Sequence, residues 1–214
     1  MELHFYPGQL LLAIKQAGVI KHRFSAHGGP AKKGTDPHMA EIPTTAGIFV
    51  IEKTHAYRTG TWPLSSIKWG VKLRDRKDIL PKGDVWYQLP SGQWGSILKD
   101  YGITRDDIIG MYSRLYHKNE VPGTWVFNDF GPIAIRYFKD LNGNNILDGK
   151  EKLSGEMLHT TPDDEASTFF KKKVTLTESH GCIHIKPLDR DFLLNLGAFK
   201  QGTPFIVHHY HEKI

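Results

Sequence analysis

Cys182 is the only cysteine in the chain, and it stands in Glu178-Ser179-His180-Gly181-Cys182-Ile183-His184-Ile185, with a further histidine, His159, upstream. A single thiol cannot close an intramolecular disulfide, so it either packs or reacts. A thiol attacks only as the thiolate, which needs a base or a positive field beside it. His159 fits the base by type, but it is too distant in sequence to be a turn neighbour and must be brought in by the fold. Gly181 allows close main-chain approach, and the successive N–H groups of His180, Gly181 and Cys182 form a candidate oxyanion hole. On this chemistry alone, a catalytic cysteine and a buried structural one both stand.

A second pattern carries oxygen ligands. Asp140-Leu141-Asn142-Gly143-Asn144-Asn145-Ile146-Leu147-Asp148-Gly149-Lys150-Glu151 follows the EF-hand order. Ligands fall at Asp140, Asn142, Asn144, the Ile146 carbonyl, Asp148 and Glu151. Asn145 holds the place usually taken by glycine and tolerates the left-handed conformation. The upstream segment reads as a strand, so the paired helices of a true EF-hand are missing. The same residues also describe a hydrophilic turn between strands. Two readings therefore stand: a structural Ca²⁺ that orders the loop just ahead of His159, or a turn with no ion. The terminal His208-His209-Tyr210-His211 reads as an exposed strand end and is given no role.

The elements that must hold these residues are mainly strands. Glycine (21) and proline (12) are spread through the chain and punctuate short apolar runs, the pattern of a β-rich fold with many turns. Leu10–Lys15 and Val19–Phe24, flanking Gln16-Ala17-Gly18, read as a hairpin. Strands are expected at Ala46–Ile51, Trp86–Leu89, Ile133–Phe138 and Pro204–His208, each rich in β-branched or aromatic residues. Leu158-His159-Thr160-Thr161 reads as a strand end, and His184, alternating with Ile183 and Ile185, as a strand residue facing outward. Two helices are expected. One starts at Thr104 with Asp107 in the capping position and carries Ile108, Ile109, Met111, Tyr112 and Leu115. The other runs from near Asp189 through Phe192, Leu193 and Leu196 to a stop at Gly197. The first belongs to an excursion over about 75–130.

At 214 residues, 39% hydrophobic and 24% charged, the composition is that of an ordinary globular protein with one sizeable core. No apolar run is long enough to span a bilayer. Net charge is +5 with pI about 9.1, but the basic residues are scattered. The one dense run, Lys171-Lys172-Lys173, reads as a solvated loop. No nucleic-acid motif is present, and no nucleic-acid partner is expected. The start, Met1-Glu2-Leu3-His4-Phe5-Tyr6, lacks the basic and apolar stretches of a secretory signal. Hence the chain is cytoplasmic as made, has lost a signal, or is exported by another route.

Ser179-His180-Gly181-Cys182, with His159 upstream and Leu188-Asp189 downstream, resembles the motif of the L,D-transpeptidase catalytic domain, often called the YkuD domain. The resemblance extends to Tyr6–Phe24 as the opening hairpin, to Ile42-Pro43-Thr44-Thr45-Ala46-Gly47-Ile48-Phe49 as the entry to a core strand, and to Gly202–Ile206 as the closing strand. It implies a mostly β fold with a few helices, a YkuD-like sandwich or barrel. One catalytic domain would then cover 1–214, with an insertion at about 75–130. Cys182 would attack the diamino-acid carbonyl of a peptidoglycan stem tetrapeptide, ahead of the terminal D-alanine, and form a thioester. His159 would act as base and then acid, oriented by the Thr160 carbonyl. Amides of His180, Gly181 and Cys182 would hold the oxyanion, with Ser179 and His184 as substrate contacts. No cofactor is required for the chemistry.

An amine acceptor would give 3→3 crosslinks or exchange of the terminal D-amino acid, and water would give L,D-carboxypeptidase activity, as in an exported antibacterial effector. A reading of another class is a non-catalytic wall-binding or calcium-binding module. The partner would be the stem peptide, the protein a monomer, and the site of action the periplasm or cell envelope. The chain departs from the family pattern in three places. The spacer between His159 and Ser179 is longer, which points to a loop insertion carrying Lys171–Lys173. His184 stands where many members have arginine or asparagine. The central excursion is large and would replace or extend the family's lid over the site.

Overall fold

Apolar side chains recur at every second position along several short segments, and a strand sends such positions to one face. Leu3 and Phe5, Leu12 and Ile14, Phe49 and Ile51, Ile135 and Tyr137, Ile183 and Ile185, and Phe205 and Val207 are all buried in a common core. A computed structural model describes residues 1–36, 40–79 and 81–214. Its strands and α-helices in chain order are β1 (Glu2–Tyr6), β2 (Leu11–Gln16), β3 (Val19–His27), β4 (Gly47–His55), β5 (Leu73–Arg76), β6 (Asp84–Gln88), β7 (Trp94–Ser96), α1 (Ile97–Tyr101), α2 (Arg105–Tyr116), β8 (Ala134–Phe138), β9 (Leu153–His159), α3 (Pro162–Phe169), β10 (Ile183–Ile185), α4 (Pro187–Leu196) and β11 (Pro204–Val207). The fold is mostly β with four α-helices, as the sequence leads one to expect.

The chain divides into two compact units. The first comprises Met1–His55, Ile133–Thr160 and Ser167–Ile214. It holds a closed barrel with strand order β1-β11-β4-β8-β9-β10-β3-β2. Closure removes free sheet edges. Two pairs are parallel, β1 with β11 and β9 with β10, and the rest are antiparallel. The expected hairpin is β2–β3. Its tip, Ala17 and Gly18, has φ of 47° and 76°, the left-handed pair that matches strand twist. Helix α4 begins at Pro187 rather than Asp189, because proline suits the first helical position. It ends on Gly197 at φ 76°, and Leu193 enters the barrel core.

The second unit comprises Ala56–Pro132 and Thr161–Ala166, and so includes the expected 75–130 excursion, of which Leu80 lies outside the described residues. Strands β5, β6 and β7 form an antiparallel sheet in that order. One face carries Leu73, Val85 and Tyr87 into a core with Ile97, Ile108, Leu115, Trp125 and Phe127. Helix α2 starts as expected: the Thr104 hydroxyl accepts from the Asp107 N–H, and the Asp107 carboxylate accepts from the Thr104 N–H at 2.9 Å. Asn128, fully buried, ties the loops: its amide donates to the Tyr57 carbonyl at 3.0 Å and the Ile67 carbonyl at 2.8 Å. Helix α3 has no counterpart in the sequence reading. Its signal was local, since Thr161 caps the Asp164 N–H (3.2 Å) ahead of Pro162 in a Thr-x-x-Asp start. The long spacer after His159 thus opens with a helix rather than a loop.

Phe205 packs edge-on against Tyr137 at 5.0 Å and is fully buried in the barrel. Phe205→Ala is expected to destabilise the barrel unit by about 3–5 kcal/mol, read as a lowered midpoint in urea unfolding.

Candidate active site

Strands β9 and β10 run parallel, with Ile183 beside Leu158 and His184 beside His159. Leu158 and Ile183 point into the barrel core. Strict alternation then puts His159 and His184 on the other face, and Met157 and Cys182 with them. The two histidine rings meet edge to face at 4.8 Å. Cys182 lies one residue before β10, half-buried, and its sulfur accepts the Met157 main-chain N–H. The fold therefore brings Cys182 and His159 to the same end of two neighbouring strands.

His159 is held in one tautomer. Its Nδ1 lies 2.9 Å from the Thr160 carbonyl oxygen. A carbonyl only accepts, so Nδ1 carries the proton and Nε2 presents its lone pair. Thr160 is itself fully buried, and its hydroxyl accepts from Arg190 Nη1 of α4 at 3.3 Å. Arg190 is 6% exposed and also grips Asp191 at 2.8 Å. His184 is fixed in the same way, its Nδ1 donating to the Thr177 carbonyl at 2.9 Å. It faces away from the barrel core, yet it is 8% exposed rather than solvent-facing, because the 176–177 segment covers it.

The 179–182 turn is locked from inside. Ser179, expected among the substrate contacts, is 3% exposed. Its hydroxyl donates to the Cys182 carbonyl and accepts the Gly181 N–H at 3.1 Å. Its own N–H donates to the Gly28 carbonyl at 3.2 Å. The geometry makes Ser179 the tie of the turn rather than a group facing a ligand. It also engages the Gly181 amide, one of the three main-chain N–H groups of the candidate oxyanion hole. His180 is exposed, as suits a group at the rim. Gly181 has φ of 103°, which only glycine adopts freely, and a Cβ there would lie 3.2 Å from Glu156 Oε1.

Glu156 is the residue that sequence reasoning missed. Alternation on β9 turns it to the side of Leu158, at the end of the core nearest Gly181. Its carboxylate, in a residue 9% exposed, accepts the Thr45 hydroxyl at 2.7 Å, the Thr45 N–H at 3.1 Å and the Tyr137 hydroxyl at 3.1 Å. All three partners are donors, so the group sits there as an acceptor-only carboxylate. A Glu with alternation in phase with Leu158 was the one available clue.

These surroundings set the resting protonation state. Burial pushes the Cys182 thiol up from 9.0 to about 11; the Glu156 charge adds to this, while the Met157 N–H and Arg136 oppose it. Burial holds His159 down from 6.5 to about 3, helped by His184 and opposed by the Thr160 carbonyl. At neutral pH the pair is thiol and neutral imidazole, not thiolate and imidazolium. A thiol in this state must first lose its proton before sulfur can act as a nucleophile.

The calcium candidates occupy an exposed loop in which Asp140, Leu147 and Glu151 are part-exposed. Asp140 accepts N–H bonds from Gly143 at 2.7 Å and Asn145 at 2.8 Å, and Glu151 accepts that of Leu141 at 2.7 Å. Asn142 and Asn144 turn their amide NH₂ groups to Asp148, at 3.1 and 2.7 Å, and Ile146 donates its N–H to Asn144. Asn145 adopts φ of 59°, as its place in the pattern requires. Among the described residues, no group of three or more His, Cys, Asp or Glu side chains is arranged to hold a metal ion.

No known protein family and no curated protein matches the chain. Among solved structures it is similar to an L,D-transpeptidase from Mycobacterium smegmatis, at 14% identity and a TM-score of 0.36. That match covers 97% of this chain and 58% of the other, so the chain spans a little over half the length of that protein. A likeness at this level carries no weight for the site, which rests on its own geometry. Among the described residues, no helix is long and apolar enough to cross a membrane.

Two outcomes follow from the electrostatics. Between about 6.5 and about 3 the unfolded chain binds a proton that buried His159 refuses, so stability falls as pH drops through that window. Between 9.0 and about 11 the folded chain keeps a thiol proton that the unfolded chain releases, so stability falls as pH rises. Thermal unfolding against pH checks both limbs, and His159→Gln should flatten the acid one. Separately, Glu156→Gln removes a negative charge beside the thiol, and the pH midpoint for iodoacetamide alkylation of Cys182 should move down. An unchanged midpoint would mean the carboxylate does not act on the sulfur.

Proposed function

We propose that this chain is a cysteine acyl-transfer enzyme of the L,D-transpeptidase type, acting on peptidoglycan stem tetrapeptides. The observation that supports the reading is that Cys182, one residue before β10, and a tautomer-fixed His159, the last residue of β9, come to the same end of two adjacent parallel strands. The Ser-His-Gly-Cys motif supplies the substrate class by resemblance.

In this reading the Cys182 proton passes to His159 Nε2 as sulfur attacks the diamino-acid carbonyl. The carbonyl π pair moves to oxygen, where the amides of Cys182 and His180 stabilise it. Collapse breaks the C–N bond, and His159 returns the proton to the leaving D-alanine amine. A thioester remains. An acceptor amine then gives its proton to His159, attacks the thioester and forms the new amide, with thiol regenerated. Water in place of the amine gives the free acid. Arg190 and Thr160 are positioning residues that fix the imidazole. The site of action is the cell envelope.

Purified stem tetrapeptides, with and without an added D-amino acid, test this by mass spectrometry. The expected result is a transient adduct on Cys182 with loss of D-alanine. Cys182→Ala should abolish both, and His159→Gln should slow them on the order of 10²–10⁴-fold. Exchange or crosslinked product identifies the acceptor as an amine, and a tripeptide acid identifies it as water. A wild-type protein that forms no adduct and releases no D-alanine would overturn the reading in favour of a non-catalytic module.

A further inference from the structure

The outward face of the β5–β7 sheet differs from the rest of the surface. Pairing places Arg74 opposite Trp86, Gln88 opposite Trp94, and Lys72 level with Gln88, whose N–H donates to the Lys72 carbonyl at 3.0 Å. By alternation these side chains all point away from the core that Leu73, Val85 and Tyr87 enter. Beside them lies a groove of about 560 Å³ lined by Lys72, Arg74, Gln88, Trp94, Tyr112 and Thr124, among others, all within the second unit.

The groove presents unused binding groups. Arg76 is claimed by Asp78 at 2.6 Å, Arg105 by Asp75 at 2.7 Å and Arg114 by Asp163 at 2.7 Å. Arg74 has no such partner among the described residues. Its guanidinium carbon lies over the Trp94 ring, 3.9 Å from the ring centre, a contact that uses the face of the guanidinium and not its edge N–H groups. Lys72 is exposed and likewise has no carboxylate partner among the described residues. The Tyr112 hydroxyl and the Gln88 side-chain amide make no hydrogen bond to any described residue. A fixed guanidinium fork suits a carboxylate, and a neutral amide and a phenol suit hydroxyls and acetamido groups.

We propose that this groove binds a carboxylate-bearing saccharide, with the carboxylate on Arg74 and Lys72 and the sugar against Gln88 and Tyr112. A long polyanion fits less well. Only two unpaired cations face the groove, and affinity for nucleic acid grows with the number of phosphates neutralised. Trp94 and Trp86 already carry the guanidinium groups of Arg74 and Arg76, at 3.9 and 4.1 Å, on faces that bases would need for stacking. The site stands apart from the Cys182 chemistry and does not depend on the proposed reaction.

The test uses the full chain and peptide-free peptidoglycan glycan strands, whose N-acetylmuramic acid carboxylates are uncovered. These strands carry no stem peptide, so Cys182 has nothing to act on and the two proposals fail separately. Calorimetry and tryptophan fluorescence are expected to show saturable binding. Arg74→Gln and Lys72→Gln should each weaken it about 10–100-fold, the loss of a charge-assisted hydrogen bond. A neutral N-acetylglucosamine oligomer should bind at least about tenfold more weakly. Equal binding of the neutral oligomer, unaffected variants, or no saturable binding would overturn the proposal. Tighter binding of a single-stranded oligothymidine would overturn it in favour of nucleic acid.

Discussion

Parallel pairing of β9 with β10 is the constraint on which the candidate site depends. Antiparallel neighbours can be joined by a tight turn, but parallel neighbours need a crossover of a dozen residues or more. The chain from Thr160 to Cys182, with α3 in it, is that crossover. Its consequence is geometric. Both strands point the same way, so the C-terminal end of β9, carrying His159, lies beside the N-terminal end of β10, which follows Cys182. With one register fixed by Leu158 and Ile183 in the core, the two reactive side chains have no choice of face. A slip of one residue in either strand would turn that strand's histidine into the barrel interior, at the cost of burying its polar edge among Phe and Ile.

The same burial that fixes the pair also sets its chemistry. Burial disfavours charge on both partners, so thiol and imidazole rest neutral. An ion-paired thiolate would react with any electrophile that reached it. A neutral thiol does not, since its proton must leave before sulfur is nucleophilic. Glu156 reinforces this from the barrel interior: its charge raises the cost of a thiolate on the other side of Gly181. The carboxylate is tolerated there because Thr45 and Tyr137 supply its donors. The barrel mouth thus contains a small polar network whose electrostatic effect opposes premature ionisation.

Much of this was legible in the residues, and the exceptions have physical causes. Cys182 and His159 could be singled out because the motif is local, and the contact between His159 Nδ1 and the Thr160 carbonyl, which the resemblance implied, is present in the fold. The β2–β3 hairpin, α2 and α4 could be placed because turn and capping residues mark them. What depended on non-local pairing could not be read. Glu156 becomes part of the site only through the β9 register and the approach of Gly181. Ser179 looked available for substrate because its commitment to the Cys182 carbonyl and Gly181 amide is a property of the folded turn. His184 alternates like a surface residue, yet the 176–177 segment lies over it. The division into two units also has no compositional marker, since both are built from the same short runs and turns.

The turn around Cys182 shows how one residue can restrict another's role. A left-handed Gly181 lets the chain reverse without a Cβ striking Glu156. The reversal brings the Gly181 N–H to Ser179, where it is used internally. An amide engaged in this way cannot also stabilise a developing oxyanion without giving up that bond. Any oxyanion stabilisation must therefore come from the neighbouring amides, whose direction is set by the same Ser179 tie. Rigidity is what makes such donors effective, because they need not reorganise as charge forms. Ser179 holds the frame, and a hydroxyl that both donates and accepts is the smallest group able to close that turn from inside.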